Sequence, residues 1–212
     1  MLSAALPAHP DLSIEAEHRV WNGRFPLDVI DVRSRRFDGS PSGPRRWELW
    51  RRSHAAARLP CDPIADAVVP IEQCRLPALA AGFPPVPVEL PAGLCGAAET
   101  PEPTIRRKAE EEMGLVLDRL LPIDEVVLSR GGSDERCARS AGPVRSAHAG
   151  ADGMPGTAGP PAEEEDIRVR RRVAPEAIAA ALDGRFPNAL TMLALLWLAS
   201  RREALRTAWS DR

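Results

Sequence analysis

The sequence predicts an α+β protein with a small antiparallel β unit at its N-terminus, over residues 1–50, and a larger domain over residues 51–212. Three observations carry this reading. Residues 18–50 hold short runs that alternate apolar and polar, as half-exposed strands do. Residues 90–115 read as a glycine-containing loop that turns into a short acidic helix and stops at a glycine. Near the C-terminus, Asn188 precedes an apolar run, Ala189 to Ala199, of helical character. With 212 residues, 44% of them hydrophobic, the chain can bury one sizeable core plus a small appendage.

Charge and composition narrow the partners. Twenty-eight basic and 30 acidic side chains leave a net charge of −2, which gives no bulk attraction to nucleic acid or membrane. Four cysteines, Cys61, Cys74, Cys95 and Cys137, stand without a CxxC pair or a nearby His, so neither a zinc site nor a disulfide framework is expected. No basic segment followed by an apolar core opens the chain, and the longest apolar run is too short to span a bilayer. The expectation is a cytosolic, cytoplasmic protein.

Taken in order, residues 1–13 are rich in Pro and Ala and are expected to fray. Strands follow at His18 to Trp21, Leu27 to Arg33 and Trp47 to Trp50, with turn signals at Asn22-Gly23 and Asp38-Gly39. A three-stranded unit of this size is marginal alone and needs something to pack on. His54 to Leu59 and Ala67 to Gln73 read as buried strands around the turn Cys61-Asp62-Pro63. Residues 77–87 read as a proline-broken loop, and Val86 to Leu90 as a short strand. Thr100 and Pro101 open the acidic helix, which runs to Met113. Leu117 to Leu128 is strand in its second half, and Gly131 to Arg136 is a polar turn. Residues 140–161, dominated by Ala, Gly, Pro and Ser, read as a long loop ending in Glu163-Glu164-Glu165-Asp166. Ile167 to Val169 is strand-like. Pro175 opens a helix that Asp183-Gly184 stops, and a final helix runs from Asn188 to about Trp209, its apolar first half buried all round.

The glycine loop and acidic helix carry the chemistry. Gly93, Glu99, Arg107, Glu111, Glu112, Gly114 and Leu115 fall at the spacing G-x5-E-x7-R-E-U-x-E-E-x-G-U, where U is a bulky aliphatic residue. Amphipathicity alone does not require these coupled placements. The stretch resembles the Nudix box. Beyond it, His54 to Ala56, Ile71 to Arg75, Glu89 to Leu94, Gly131 to Arg136, Glu165 to Val169 and Asn188 to Leu198 resemble, in order and spacing, the ADP-ribose pyrophosphatase branch of the Nudix hydrolases.

That resemblance implies an α/β/α sandwich whose N-terminal β unit crosses to the partner in a homodimer. It implies hydrolysis of ADP-ribose, or a related nucleoside diphosphate sugar, to AMP and ribose 5-phosphate with Mg²⁺, or Mn²⁺ in its place. By position, the metal would be held by Glu112, Glu99, Glu165 and the carbonyl of Ala92. Glu163 matches the general base, with Glu111 the further catalytic acid of the box. Arg75, Glu72, Glu135 and Arg46 match the substrate contacts. Mg²⁺ takes hard oxygen ligands and bridges carboxylates to substrate phosphates, which suits this set. Positions 108, 111 and 112 share a helical face.

The departures are specific. Lys108 stands where the box has glutamate, and an ammonium offers a metal no lone pair. The expectation is impaired hydrolysis, with a catalytically weak or inactive nucleotide-binding protein as the second reading. Pro70 interrupts an apparent central strand, Arg58 sits in an apolar run, and Arg139, Ser140 and Pro143 fall where the family has an apolar strand. These conflicts lie in the scaffold and predict reduced stability.

Overall fold

The computed structural model describes residues 5–96, 99–113, 119–146 and 166–210, with the side chains of Glu112 and Met113 outside that description. The chain forms two compact units, Met1–His54 with Val126–Arg136, and Ala55–Glu125 with Cys137–Arg212.

The first unit is an antiparallel sheet in the order β1 (Leu12–Trp21), β2 (Leu27–Ser34), β3 (Arg45–Trp50). β1 begins at Leu12, within the stretch expected to fray, because Leu12 and Ser13 pair with Ser34 and Arg33. β2 alternates as its sequence predicts, burying Asp28, Ile30 and Val32. Asp28 is 1% exposed and tolerates burial because Arg19 donates to it at 2.8 Å. That hydrogen bond from Arg19, ahead of the opposing effect of burial, holds the Asp28 carboxyl below its usual range. The turn at Gly131 to Asp134 is part of this unit: Trp50 N–H donates to the Gly132 carbonyl, and Arg52 N–H to Asp134.

In the second unit, β4 (Ala55–Asp62) is central to a six-stranded sheet. β5 (Ala67–Val68) and β12 (Arg172–Val173) lie to one side, β10 (Arg136–Pro143) and β9 (Leu121–Val127) to the other, and β8 (Ala92–Leu94) also pairs with β4. β6 (Ile71–Gln73) sits between β11 (Ile167–Val169) and β7 (Val88–Glu89) in a separate sheet. Pro70 marks this change of sheet. It divides the run read as one strand, Ala67 to Gln73, into β5 and β6, and its carbonyl accepts from Arg170 N–H.

Both faces of β4 are covered, as its near-continuous burial requires. Leu59 and Cys61 face α3 (Ala174–Leu182), α4 (Ala189–Ala199) and α5 (Arg202–Trp209). Ala56 faces α2 (Pro101–Met113), whose buried Ile105 and Ala109 are four residues apart on one stripe. The result is helix, sheet, helix. A short helix, α1 (Leu76–Ala80), occupies residues read as loop, with Pro77 inside its first turn.

Asn188 caps α4 by accepting from Thr191 N–H at 3.1 Å. The tail is two helices, not one, broken at Ser200 and Arg201. α4 is also one-sided: Thr191, Ala194, Leu195 and Leu198 are buried while Leu193 is 42% exposed. Among the described residues no helix is long and apolar enough to cross a membrane.

β10 corrects another reading. Residues 140–143 form a strand, parallel to β4, where a loop is expected. Arg139 makes this possible. Its guanidinium is 2% exposed, donates to Asp124 from Nε at 2.7 Å and from Nη2, and reaches the Leu190 carbonyl at 3.0 Å.

Asp62 closes β4. It is 4% exposed and accepts from Ser146 N–H and Oγ–H at 2.6 and 2.7 Å and from the Ile64 and Ala65 N–H groups at 3.0 and 2.9 Å. Burial pushes its carboxyl pKa up, and these hydrogen bonds outweigh it, so the net shift is downward. A lowered folded-state value stabilises above the unfolded pKa, about 3.9, and that contribution fades as pH falls through the folded value. Asp62→Asn turns an amide N–H₂ toward these donors and is expected to cost about 2 kcal/mol at neutral pH. Urea denaturation at neutral pH and near pH 3 checks this. The gap between variant and parent narrows in acid; an unchanged midpoint at neutral pH would exclude the role.

Candidate active site

The loop and helix expected to carry chemistry come together in the second unit. β8 places Ala92 opposite Ala57 and Gly93 opposite Ala56, and α2 packs on both β8 and β4. Gly93 is required by proximity. A Cβ built there would lie 2.5 Å from Lys108 Cγ and 3.1 Å from its Cδ and Cε, so the lysine stem rests directly on the loop backbone.

The charges at this junction are paired. Lys108 Nζ lies 3.2 Å from Glu111 Oε2. Arg107 reaches Glu111 at 3.2 Å and Glu99 at 3.3 Å, so one guanidinium ties both ends of the motif. Glu99 also accepts from Gly96 N–H at 3.0 Å. The Gly96 N–H bond first, then Thr104 and Arg107, hold the Glu99 carboxyl below its usual range.

The second group lies on β6, β7 and the start of α4. Arg75 Nε donates to Glu89 at 2.7 Å, and the other Glu89 oxygen accepts from Asn188 Nδ2 at 3.1 Å. Glu72 faces Arg168 and Arg170, each at 3.1 Å, with Arg172 at 3.9 Å. Opposite-strand register produces this, since Glu72 pairs with Arg168 across β6 and β11.

Two candidates lie in the first unit. Glu135 is ion-paired to Arg52 at 3.2 Å with its side chain 12% exposed, and burial, chiefly, raises its pKa. Arg52 stacks 4.6 Å from the ring centroids of both Phe25 and Trp50. Arg46 is engaged with Asp31 at 2.7 and 2.9 Å and stays 71% exposed. Glu163, Glu165 and the side chain of Glu112 lie outside the described residues.

Sequence reasoning missed the supporting residues. Glu89 and Asn188 orient Arg75, and Arg52 partners Glu135. Only Arg107 was signalled, through its fixed place in the box and its four-residue step to Glu111.

Of the proposed cation ligands, the described residues include Glu99, tied to Arg107, and the backbone of Ala92. Among them no three His, Cys, Asp or Glu side chains gather into a metal-holding group, and an ammonium sits beside Glu111.

The glycine loop, the acidic helix and the two-sided sheet define a Nudix fold. No family model matches the chain. A crystal structure of an ADP compounds hydrolase superposes with a TM-score of 0.65 at 17% identity, covering 96% of this chain and 99% of that one. The ADP-ribose pyrophosphatase of Escherichia coli (strain K12) is 36% identical over 200 residues, 94% of this chain and 93% of that protein. That of Haemophilus influenzae is 33% identical over 204 residues, 94% and 91% of the two chains. The chain belongs to the Nudix hydrolases, in their ADP-ribose pyrophosphatase branch.

Proposed function

We propose that the protein hydrolyses the diphosphate of ADP-ribose, or of a related nucleoside diphosphate sugar, to AMP and ribose 5-phosphate. The observation that carries this is the full-length similarity to an E. coli ADP-ribose pyrophosphatase, 36% identity across 94% of the chain. Mg²⁺, replaceable by Mn²⁺, is the cofactor in this reading. Glu112, Glu165, Glu99 and the Ala92 carbonyl would hold it, and it would polarise the diphosphate. Glu163 is the proposed general base and Glu111 its acidic neighbour in the box.

The chain's own residues orient the substrate. Arg75, fixed by Glu89, is a preorganised donor for phosphate oxygens. Glu72, Glu135 and Arg46 complete the proposed contacts. A cytoplasmic homodimer, with residues 1–50 crossing to the partner, is part of the same proposal. The exposed Trp21 and Trp47 of the first unit, 64% and 49% accessible, supply apolar surface for such a partner.

A specific contact favours a second reading. The Lys108–Glu111 pair neutralises part of the acidic helix, which suits a nucleotide-binding protein with weak or no hydrolysis. Enzymatic AMP release from ADP-ribose with Mg²⁺ tests the first reading, and heat stabilisation by ADP-ribose tests both. Arg75→Ala is expected to weaken ADP-ribose binding about tenfold, roughly 1.4 kcal/mol, by calorimetric titration. Undiminished affinity would remove Arg75 from the site.

A further inference from the structure

We propose that the second unit carries an oxyanion site: the cleft between α2, residues 119–121 and Trp209 takes a phosphate group, free or on a small metabolite, over the buried guanidinium of Arg58. This inference stands on that guanidinium and its surroundings and is independent of the nucleotide reading above.

Buried polar groups are almost always hydrogen-bonded, and one that is not calls for a ligand, ion or water to complete it. Arg58 is 1% exposed, and among the described residues its Nε, Nη1 and Nη2 have no partner. Its neighbours show what it faces. The point a Cβ would take on Gly142 lies 3.4 Å from Arg58 Nε, 2.8 Å from the Arg119 carbonyl oxygen and 3.5 Å from Leu120 Cδ2. Arg119 and Leu120 line a cleft of about 360 Å³ together with Glu102, Arg106, Leu121 and Trp209, so the Arg58 head group stands behind its inner wall. Arg106 lies close enough for its charge to disfavour that of Arg58, and Arg119 is exposed. Glu102 is the acid among the lining residues; it accepts from Arg106 at 2.8 Å and its side chain is 61% exposed. Guanidinium groups match phosphate oxygens with paired donors, and a buried charge without a counter-ion attracts an anion strongly. The cleft is larger than a bare phosphate needs, and Leu121 and Trp209 give it an apolar side. Gly93, Glu99, Arg107 and Glu111 are not among its lining residues, and Arg106 is roughly half a turn around α2 from Lys108.

The test is thermal unfolding of the full chain across a series of inorganic phosphate concentrations, with ionic strength held by potassium gluconate. The parent's Tm is expected to rise saturably, half-maximal near ~1 mM phosphate, whereas Arg58→Val and Arg119→Ala need at least ~10-fold more. The response to phosphate is compared, not the starting Tm, because Arg58→Val begins from a different stability. Arg75→Ala is expected to respond as the parent does. A parent without a saturable response, or a parent-like response in Arg58→Val, overturns the inference. Loss of the response in Arg75→Ala with Arg58→Val unaffected also overturns it, by placing the anion at the proposed substrate contacts. Arg119→Ala changes an exposed side chain and decides the matter should Arg58→Val not fold. The series repeated with glycerol 3-phosphate separates the two sources: a ~10-fold tighter response identifies a phosphomonoester, an equal one the free anion.

Discussion

Lys108→Glu is expected to raise Mg²⁺-dependent release of AMP from ADP-ribose by about 10³-fold, roughly 4 kcal/mol of transition-state stabilisation. The parent has an ammonium 3.2 Å from Glu111, on the helical face where the box calls for acids. The substitution removes that cation and adds a hard oxygen donor one helical turn before Glu112. The two side chains share their first methylenes, so the shorter one enters the same channel over Gly93 without new crowding. Steady-state kcat for parent and variant checks the outcome, with Lys108→Gln separating loss of the cation from gain of the carboxylate. Lys108→Gln should recover only a minor part of the rise. Equal turnover in parent and Lys108→Glu would show that position 108 does not limit the chemistry.

Arg58→Val is expected to stabilise the fold by about 3 kcal/mol, because replacing an uncompensated buried charge with an apolar side chain removes a desolvation penalty. Arg58 is 1% exposed on β4, two residues from Ala56, and so faces the layer of α2. Among the described residues its Nε, Nη1 and Nη2 have no hydrogen-bond partner. Burial pulls its pKa down to about 9. A base with a depressed folded-state value destabilises fully below that pH, and the penalty is relieved as pH rises through it. The gain in the variant should therefore shrink above about pH 9.

At neutral pH the expected rise in Tm is roughly 5–10 °C, read by calorimetry. Arg139→Val supplies the contrast. Arg139 is as deeply buried but is satisfied by Asp124 and the Leu190 carbonyl, so its removal should lower stability by about 2 kcal/mol. A fall in Tm for Arg58→Val would refute the unpaired-charge account.

These two arginines show where local reading reaches its limit. Both break an apolar strand pattern, and the sequence flags them equally. Whether a buried guanidinium costs or contributes depends on what stands opposite, and Asp124 is fifteen residues from Arg139. The same holds for the strand content. Residues 140–143 look like loop because β10 draws its stability from parallel pairing with β4, a contact across more than 80 residues. The break at Ser200 carries no Gly or Pro, so the tail reads as one helix until its packing is seen.

The sequence by itself determined the second and third strands of the first unit, the cap at Asn188, the loop–helix motif from Gly93 to Met113, and with these the family. Each depends on spacing within one turn, one hairpin or one helix, which nearest-neighbour chemistry dictates. Only the tertiary structure decided that Pro70 divides two sheets, that Glu89 and Asn188 hold Arg75, and that Arg58 is left without a described partner while Arg139 is not. It also decided the setting of Lys108. The sequence marked this residue as a departure, but its stem on Gly93 and its charge on Glu111 arise from packing α2 against β8, which no single segment encodes.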